Sequence, residues 1–172
     1  VLCFNKNLAE NIRSSFGDRF MKQSIAVYSI ISLLNRIGFD EAGLGIDEKT
    51  SLDEKYKIFE TDEAIAEFRA KFSAHLAKHP IDYVLCDETQ DMPAGFMRVI
   101  YEEIKDCVFF IDEAQKFYPY TMNSIADIFH HPKFERIDMR GRVKNLKNVY
   151  RTPSNIARCA FEILQNDSAI NT

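Results

Sequence analysis

One run constrains this chain more than any other: Asp82-Tyr-Val-Leu-Cys-Asp87-Glu88-Thr-Gln90-Asp91. A short apolar segment, Tyr83 to Cys86, stops abruptly in acid. Segments bounded this way read as buried strands of an α/β sheet. Acids at the C-terminal end of such a strand sit where open α/β sheets bind ligands. Asp87 has the chemistry to hold Mg²⁺ on a nucleotide, because Mg²⁺ favours few carboxylates together with phosphate oxygens. Glu88, next to it, can orient or deprotonate an attacking water. Gln90 and Asp91 add polar groups able to register a phosphate. A bare Asp-Glu pair more often ends a strand in a solvated acidic turn, but the full Asp-Glu-x-Gln-Asp string is far more specific.

The rest of the chain alternates strands with helices. Strands are expected at Val1 to Phe4, Ser24 to Tyr28, Tyr83 to Cys86, Cys107 to Ile111 and Phe134 to Met139. They predict one mainly parallel sheet with helices on both faces. A helix follows Asn5, with Leu8, Ile12 and Phe16 on one face, and another follows Ser29. Residues 38–59 read as loop. Thr61 caps a helix whose stripe is Ala64, Ile65, Phe68, Phe72 and Leu76, and Pro93 opens one that buries Phe96, Val99, Ile100 and Ile104. Residues 122–129 read as a further helix, and Pro153 starts the last. His75 and His79 lie at i, i+4, but no third ligand accompanies them, and an exposed helix face is the simpler reading.

A chain of 172 residues with 46% hydrophobic and 28% charged residues can build a real core and is not disordered. No apolar run approaches the ~20 residues that span a membrane, so no membrane partner is expected. The net charge of −4 gives no global support for nucleic-acid binding. Charge is uneven, however: acids dominate from Asp40 to Glu67 and bases from Lys133 to Arg158. Cys3, Cys86, Cys107 and Cys159 lack metal-binding spacing and read as buried free thiols in a reducing, cytoplasmic setting. The start at Val1, apolar and without Met, reads as a piece of a longer protein.

Asp87-Glu88-Thr89-Gln90-Asp91 resembles the Walker B box, motif II, of superfamily 1 helicases of the UvrD/Rep/PcrA type. Three other stretches resemble that family's motifs in its order. Leu-Cys-Phe4-Asn5-Lys resembles motif Ia, which implies that Phe4 and Asn5 contact single-stranded DNA. On the residues alone, a core Phe and an N-cap Asn explain this pair equally well. Asp112, Gln115 and Tyr118 match motif III, with Ile111 in place of its Gly. The resemblance implies that Gln115 senses the γ-phosphate and that Tyr118 stacks on a base. Tyr150-Arg151 resembles motif IV, implying that Tyr150 packs on adenine and Arg151 reaches the γ-phosphate. Ser29 and Ser32 match a DNA-backbone segment in which Ile30 and Ile31 replace its aromatic and His.

The resemblance implies a P-loop NTPase (RecA-like) fold over 1–149, a reduced insertion at about 40–79, and the start of a second such domain at 150–172. It implies catalytic Glu88, Gln115 and Arg151. ATP would be held by Asp87, Gln90, Tyr150 and Arg151, with Mg²⁺ on Asp87. Single-stranded DNA would meet Phe4, Asn5, Ser32 and Tyr118, with RNA left open, and the remainder of the parent helicase chain would be the other partner. No Gly-x-x-x-x-Gly-Lys-[Ser/Thr] phosphate loop occurs in these residues. The expectation is therefore part of an ATP-driven helicase or translocase motor, inactive as this piece alone. A nucleotide- or DNA-binding module that has lost turnover is the alternative.

Overall fold

The structure, a computed structural model, describes residues 1–21, 25–104, 106–115, 124–146 and 153–166. Backbone contacts divide the chain into two units, 1–137 and 138–172. In the first, β1 (Leu2–Cys3), β2 (Tyr28–Ser29), β3 (Tyr83–Asp87) and β4 (Asp106–Phe109) form one sheet in the order β2-β1-β3-β4. Every neighbouring pair is parallel. The strand–helix alternation dictates this, since parallel neighbours need a crossover, usually helical. The crossovers are α1 (Lys6–Met21), the trio α2 (Ile30–Ile37), α3 (Leu52–Phe59) and α4 (Asp62–Lys78), and α5 (Ala94–Glu103).

Register decides what each face carries. Leu2 lies beside Cys86, and Cys86 beside Phe109, so these three share a face. Cys3 lies beside Asp87, on the other. The first face is covered by α5 and by α6 (Ile125–Phe129). There the Cys107 thiol donates to the Ile104 carbonyl at 2.8 Å, and the Phe109 and Phe129 rings lie 6.1 Å apart. The second face is covered by α1, whose Leu8, Ala9 and Ile12 pack on Cys3 and Val27. Helices thus flank both faces, but α1 reaches only the β1–β2 side. Leu85 and Val108, neighbours in register, are 44% and 47% exposed. The run from Tyr83 to Cys86 is therefore not buried throughout: Val84 and Cys86 face inward while Tyr83 and Leu85 face out.

The core is aromatic and lies between α5 and the helices that precede β3. Phe96 of α5 is fully buried, stacked on Phe68 at 4.3 Å, with Phe59 at 5.1 Å and Phe39 at 5.5 Å. Each such ring contributes about 2–3 kcal/mol by burial, and favourable ring pairs add ~0.5–1.5 kcal/mol. This cluster fixes α5, and α5 anchors the turn that carries the acids.

Three further expectations are corrected. Residues 38–59 are not all loop: α3 closes that stretch, started by a capping box in which Ser51 and Glu54 bond reciprocally. Its Tyr56 and Phe59, three apart, both point into the core. Residues 134–139 form no strand. Their first part is tied elsewhere, with the Ile137 N–H on the Phe129 carbonyl and the Glu135 carbonyl on Arg98. The four cysteines are not all buried: Cys3 and Cys86 are, Cys107 is partly exposed, and Cys159 is exposed. Cys159 lies on α7 (Ser154–Asn166) in the second unit. The boundary expected at 149/150 falls outside the described residues.

Candidate functional site

All four strands are parallel, so their C-terminal ends share one edge of the sheet. Asp87 ends β3, Phe4 and Asn5 follow β1, Ser32 lies just beyond β2, and Asp112 and Gln115 follow β4. Every site residue expected from sequence and described in the structure therefore lies at that edge. Tyr118, Tyr150 and Arg151 lie outside the described residues.

The centre is the turn after β3. Asp87 is half-buried, and its Oδ1 accepts the Glu88 N–H at 3.1 Å. Glu88 has φ +52°, and among the described residues no other non-glycine has a positive φ. For a residue with a Cβ this left-handed conformation costs roughly 1–2 kcal/mol. The surrounding bonds hold it. Residues 89–91 make a 3₁₀ turn, the Thr89 N–H donates to the Phe110 carbonyl at 3.0 Å, and the Thr89 hydroxyl donates to the Cys86 carbonyl at 3.2 Å. Tyr56, 2% exposed, donates its hydroxyl to the Asp91 carbonyl at 2.8 Å. The Tyr56 ring also lies 6.4 Å from that of Phe4.

Gln90 is not a surface group. It is 1% exposed, and both ends of its amide are engaged by the protein. Its Nε2 donates to Glu88 Oε2 at 2.5 Å, and its Oε1 accepts the Asp112 N–H at 3.1 Å. Gln115 is exposed and donates its Nε2 to Asp112 Oδ2 at 2.6 Å. A hydrogen-bonded path thus runs from Glu88 through Gln90 and Asp112 to Gln115.

The residues expected to meet DNA also have structural work. Asn5 Oδ1 accepts the Asn7 N–H at the start of α1. The Ser32 hydroxyl donates to the Ser29 carbonyl at 2.9 Å, and Ser29 caps α2. Phe4 remains partly exposed and Asn5 exposed.

Two residues behind the turn escape sequence reasoning. The Glu60 carboxylate accepts the Gly95 N–H in the first turn of α5 at 3.2 Å, and it pairs with His131 Nε2 at 3.0 Å. Tyr56 is the other. The loop reading of its segment hid it, although Ser51-x-x-Glu54 is a sequence signature that would have revealed the helix.

Fit to a nucleotide can be judged from the donor set. Adjacent carboxylates at a strand end suit one Mg²⁺ completed by phosphate oxygens and water. Among the described residues no group of three or more His, Cys, Asp or Glu is placed to hold a metal ion. The glycine-rich cradle for phosphates has no counterpart in the sequence. No helix among the described residues is long and apolar enough to cross a membrane. No family model, curated protein or solved structure matches the chain.

Proposed function

We propose that this chain carries the magnesium-holding and water-activating half of an ATPase site in a superfamily 1 helicase-type motor that moves on single-stranded DNA. The observation that carries the reading is the convergence of Asp87, Glu88 and Gln115 at the C-terminal edge of a parallel sheet, with Phe4 and Asn5 at the same edge. Ligands of open α/β sheets bind there. Asp87 holds Mg²⁺, and Glu88 orients or deprotonates the water. Gln115 reads the γ-phosphate, and Tyr118, three residues further along the chain, stacks on a base. Arg151 supplies a second contact to the γ-phosphate and Tyr150 a surface for adenine. The fold is a RecA-like P-loop NTPase domain, and the phosphate loop is supplied by sequence other than these residues.

The test is steady-state ATP hydrolysis, with and without single-stranded DNA, by a longer chain that also contains a phosphate loop. Glu88→Gln is expected to abolish turnover, because the amide keeps the shape but accepts no proton. Tyr118→Ala is expected to weaken DNA stimulation more than basal turnover, since stacking on one base is worth ~1–3 kcal/mol. Full DNA-stimulated turnover in Glu88→Gln rules the reading out.

A further inference from the structure

We propose that Gln90 is a positioning residue that ties the direction of the Glu88 carboxylate to the position of the loop after β4, so that the two strand ends respond as one unit. The inference deepens the ATPase reading above and rests on it for its functional meaning, but its geometry stands apart from nucleotide chemistry.

The orientation of the Gln90 amide follows from its partners. The Asp112 N–H is a donor and demands the amide oxygen, which leaves the NH₂ group facing Glu88 Oε2. Reversing the amide would set oxygen against carboxylate and NH₂ against N–H. A side chain must therefore offer one acceptor and one donor on a rigid plane, at a reach that Asn lacks. Glu in its place would repel Glu88, and Leu would lose both bonds. Gln90 itself is 1% exposed, and its bond to the Glu88 carboxylate is charge-assisted, which makes it one of the stronger kind.

The backbone on either side of Gln90 is tied down by hydrogen bonds, while its amide spans two separate strand ends. Thr89 is pinned to Cys86 and Phe110, and the Asp91 carbonyl to Tyr56. Glu88, by contrast, has a left-handed backbone and a half-buried side chain, so its carboxylate direction is set largely by Gln90. On the other side, Asp112 opens the 3₁₀ turn that carries Gln115. A ligand that draws Gln115 shifts Asp112, and Gln90 passes the shift to Glu88. This is a route by which the occupancy of one strand end alters how the other holds its water.

The experiment uses the 172-residue chain labelled for NMR. In the unaltered protein, a scalar coupling across the hydrogen bond between the Asp112 amide nitrogen and the Gln90 side-chain carbonyl carbon is expected, and its absence overturns the proposal. Glu88→Ala is expected to move the Asp112 amide resonance in the parent chain and to leave it in place in the Gln90→Leu chain. Gln90→Met, close in length and without either polar group, loses both bonds and is expected to silence the response as well. A response of equal size in either Gln90 variant overturns the proposal, as does no response in the parent. In a phosphate-loop-containing chain, Gln90→Leu is then expected to lower kcat with KM for Mg²⁺–ATP little changed. If no variant of that longer chain hydrolyses ATP, the motor reading fails while the NMR result still decides the role of Gln90.

Discussion

Glu60 and His131, 71 residues apart in the chain, meet at 3.0 Å behind the acidic turn. The Lys133 N–H donates to His131 Nδ1 at 3.3 Å, which leaves the Nε2–H to donate to the Glu60 carboxylate. The same carboxylate accepts the Gly95 N–H at the start of α5. One side chain thus joins the α3–α4 corner, the loop after α6 and the helix that follows the candidate site. Glu60→Ala is expected to destabilise the fold by ~1–2 kcal/mol, through an orphaned His131 N–H and a lost contact at a helix N-terminus. Glu60→Gln, which keeps an acceptor, is expected to cost less. Urea unfolding midpoints check both, and equal midpoints for all three chains would refute the account.

Arg98 is a second buried connector, 2% exposed. Its Nε donates to Glu102 at 2.7 Å, Nη1 to the Phe129 carbonyl at 3.3 Å and Nη2 to the Glu135 carbonyl at 2.6 Å, while its guanidinium lies 5.4 Å from the Phe134 ring centre. Only a planar fork meets three such acceptors at once. Arg98→Lys is expected to destabilise nearly as much as Arg98→Met, by roughly 2–4 kcal/mol, since either leaves a buried carbonyl without its donor. Thermal unfolding of the two variants measures this, and a silent Arg98→Lys would contradict it.

The thiols predict a loss of stability in alkali. Burial pushes Cys86 well above the ordinary thiol value of 9.0, helped by nearby Cys107. Burial, then the charge of Asp106, pushes Cys107 up to about 12. Unfolded thiols lose their protons near 9.0 while the folded ones keep theirs. The contribution is therefore complete below pH 9 and is lost as pH rises from there towards 12, at no more than ~1.4 kcal/mol per pH unit for each thiol. Cys107→Ala should flatten the slope of stability against pH in that window. An unchanged slope in denaturant titrations from pH 8 to pH 10.5 would count against it. Alkylation of the native chain at pH 8 should mark Cys159 first and leave Cys86 untouched.

The bare part of the sheet exposes Tyr83, Leu85, Val108 and Phe110 on one face. Leu85→Thr combined with Val108→Thr puts a β-branched side chain at both positions, which suits a strand, and removes apolar surface. Binding of a hydrophobic dye such as ANS by the native chain is expected to fall, with stability changed by no more than ~1 kcal/mol. Undiminished dye binding would show that the dye sits elsewhere.

The 172 residues by themselves are expected to hydrolyse no ATP at an appreciable rate, because positioning dominates phosphoryl transfer and no phosphate cradle is present. In a chain that contains one, Asp87→Ala should weaken Mg²⁺-dependent ATP binding, whereas Glu88→Gln should spare it and stop turnover. Equilibrium binding of a fluorescent ATP analogue with and without Mg²⁺ separates the two variants.

The strand that ends in Asp87, the helix starts at Asn5, Ser29, Thr61 and Pro93, and the parallel character of the sheet were legible in the sequence. Each depends on residues close along the chain: an apolar run that stops in acid, a capping side chain, a proline, a strand followed by a helix. What the tertiary structure alone decided depends on groups far apart. Residues 134–139 alternate like a strand, yet Arg98 of α5 and the carbonyl at the end of α6 hold their first part away from the sheet. Tyr83 and Leu85 belong to an apolar run, yet they face outward because α1 covers only the β1–β2 side of their face. Gln90 has the composition of a ligand contact, and only the arrival of Asp112, 22 residues on, makes it an internal strut. Periodicity and capping act over one or two turns of chain, whereas a side chain's partner is chosen by which elements the core brings together, and no local pattern encodes that choice.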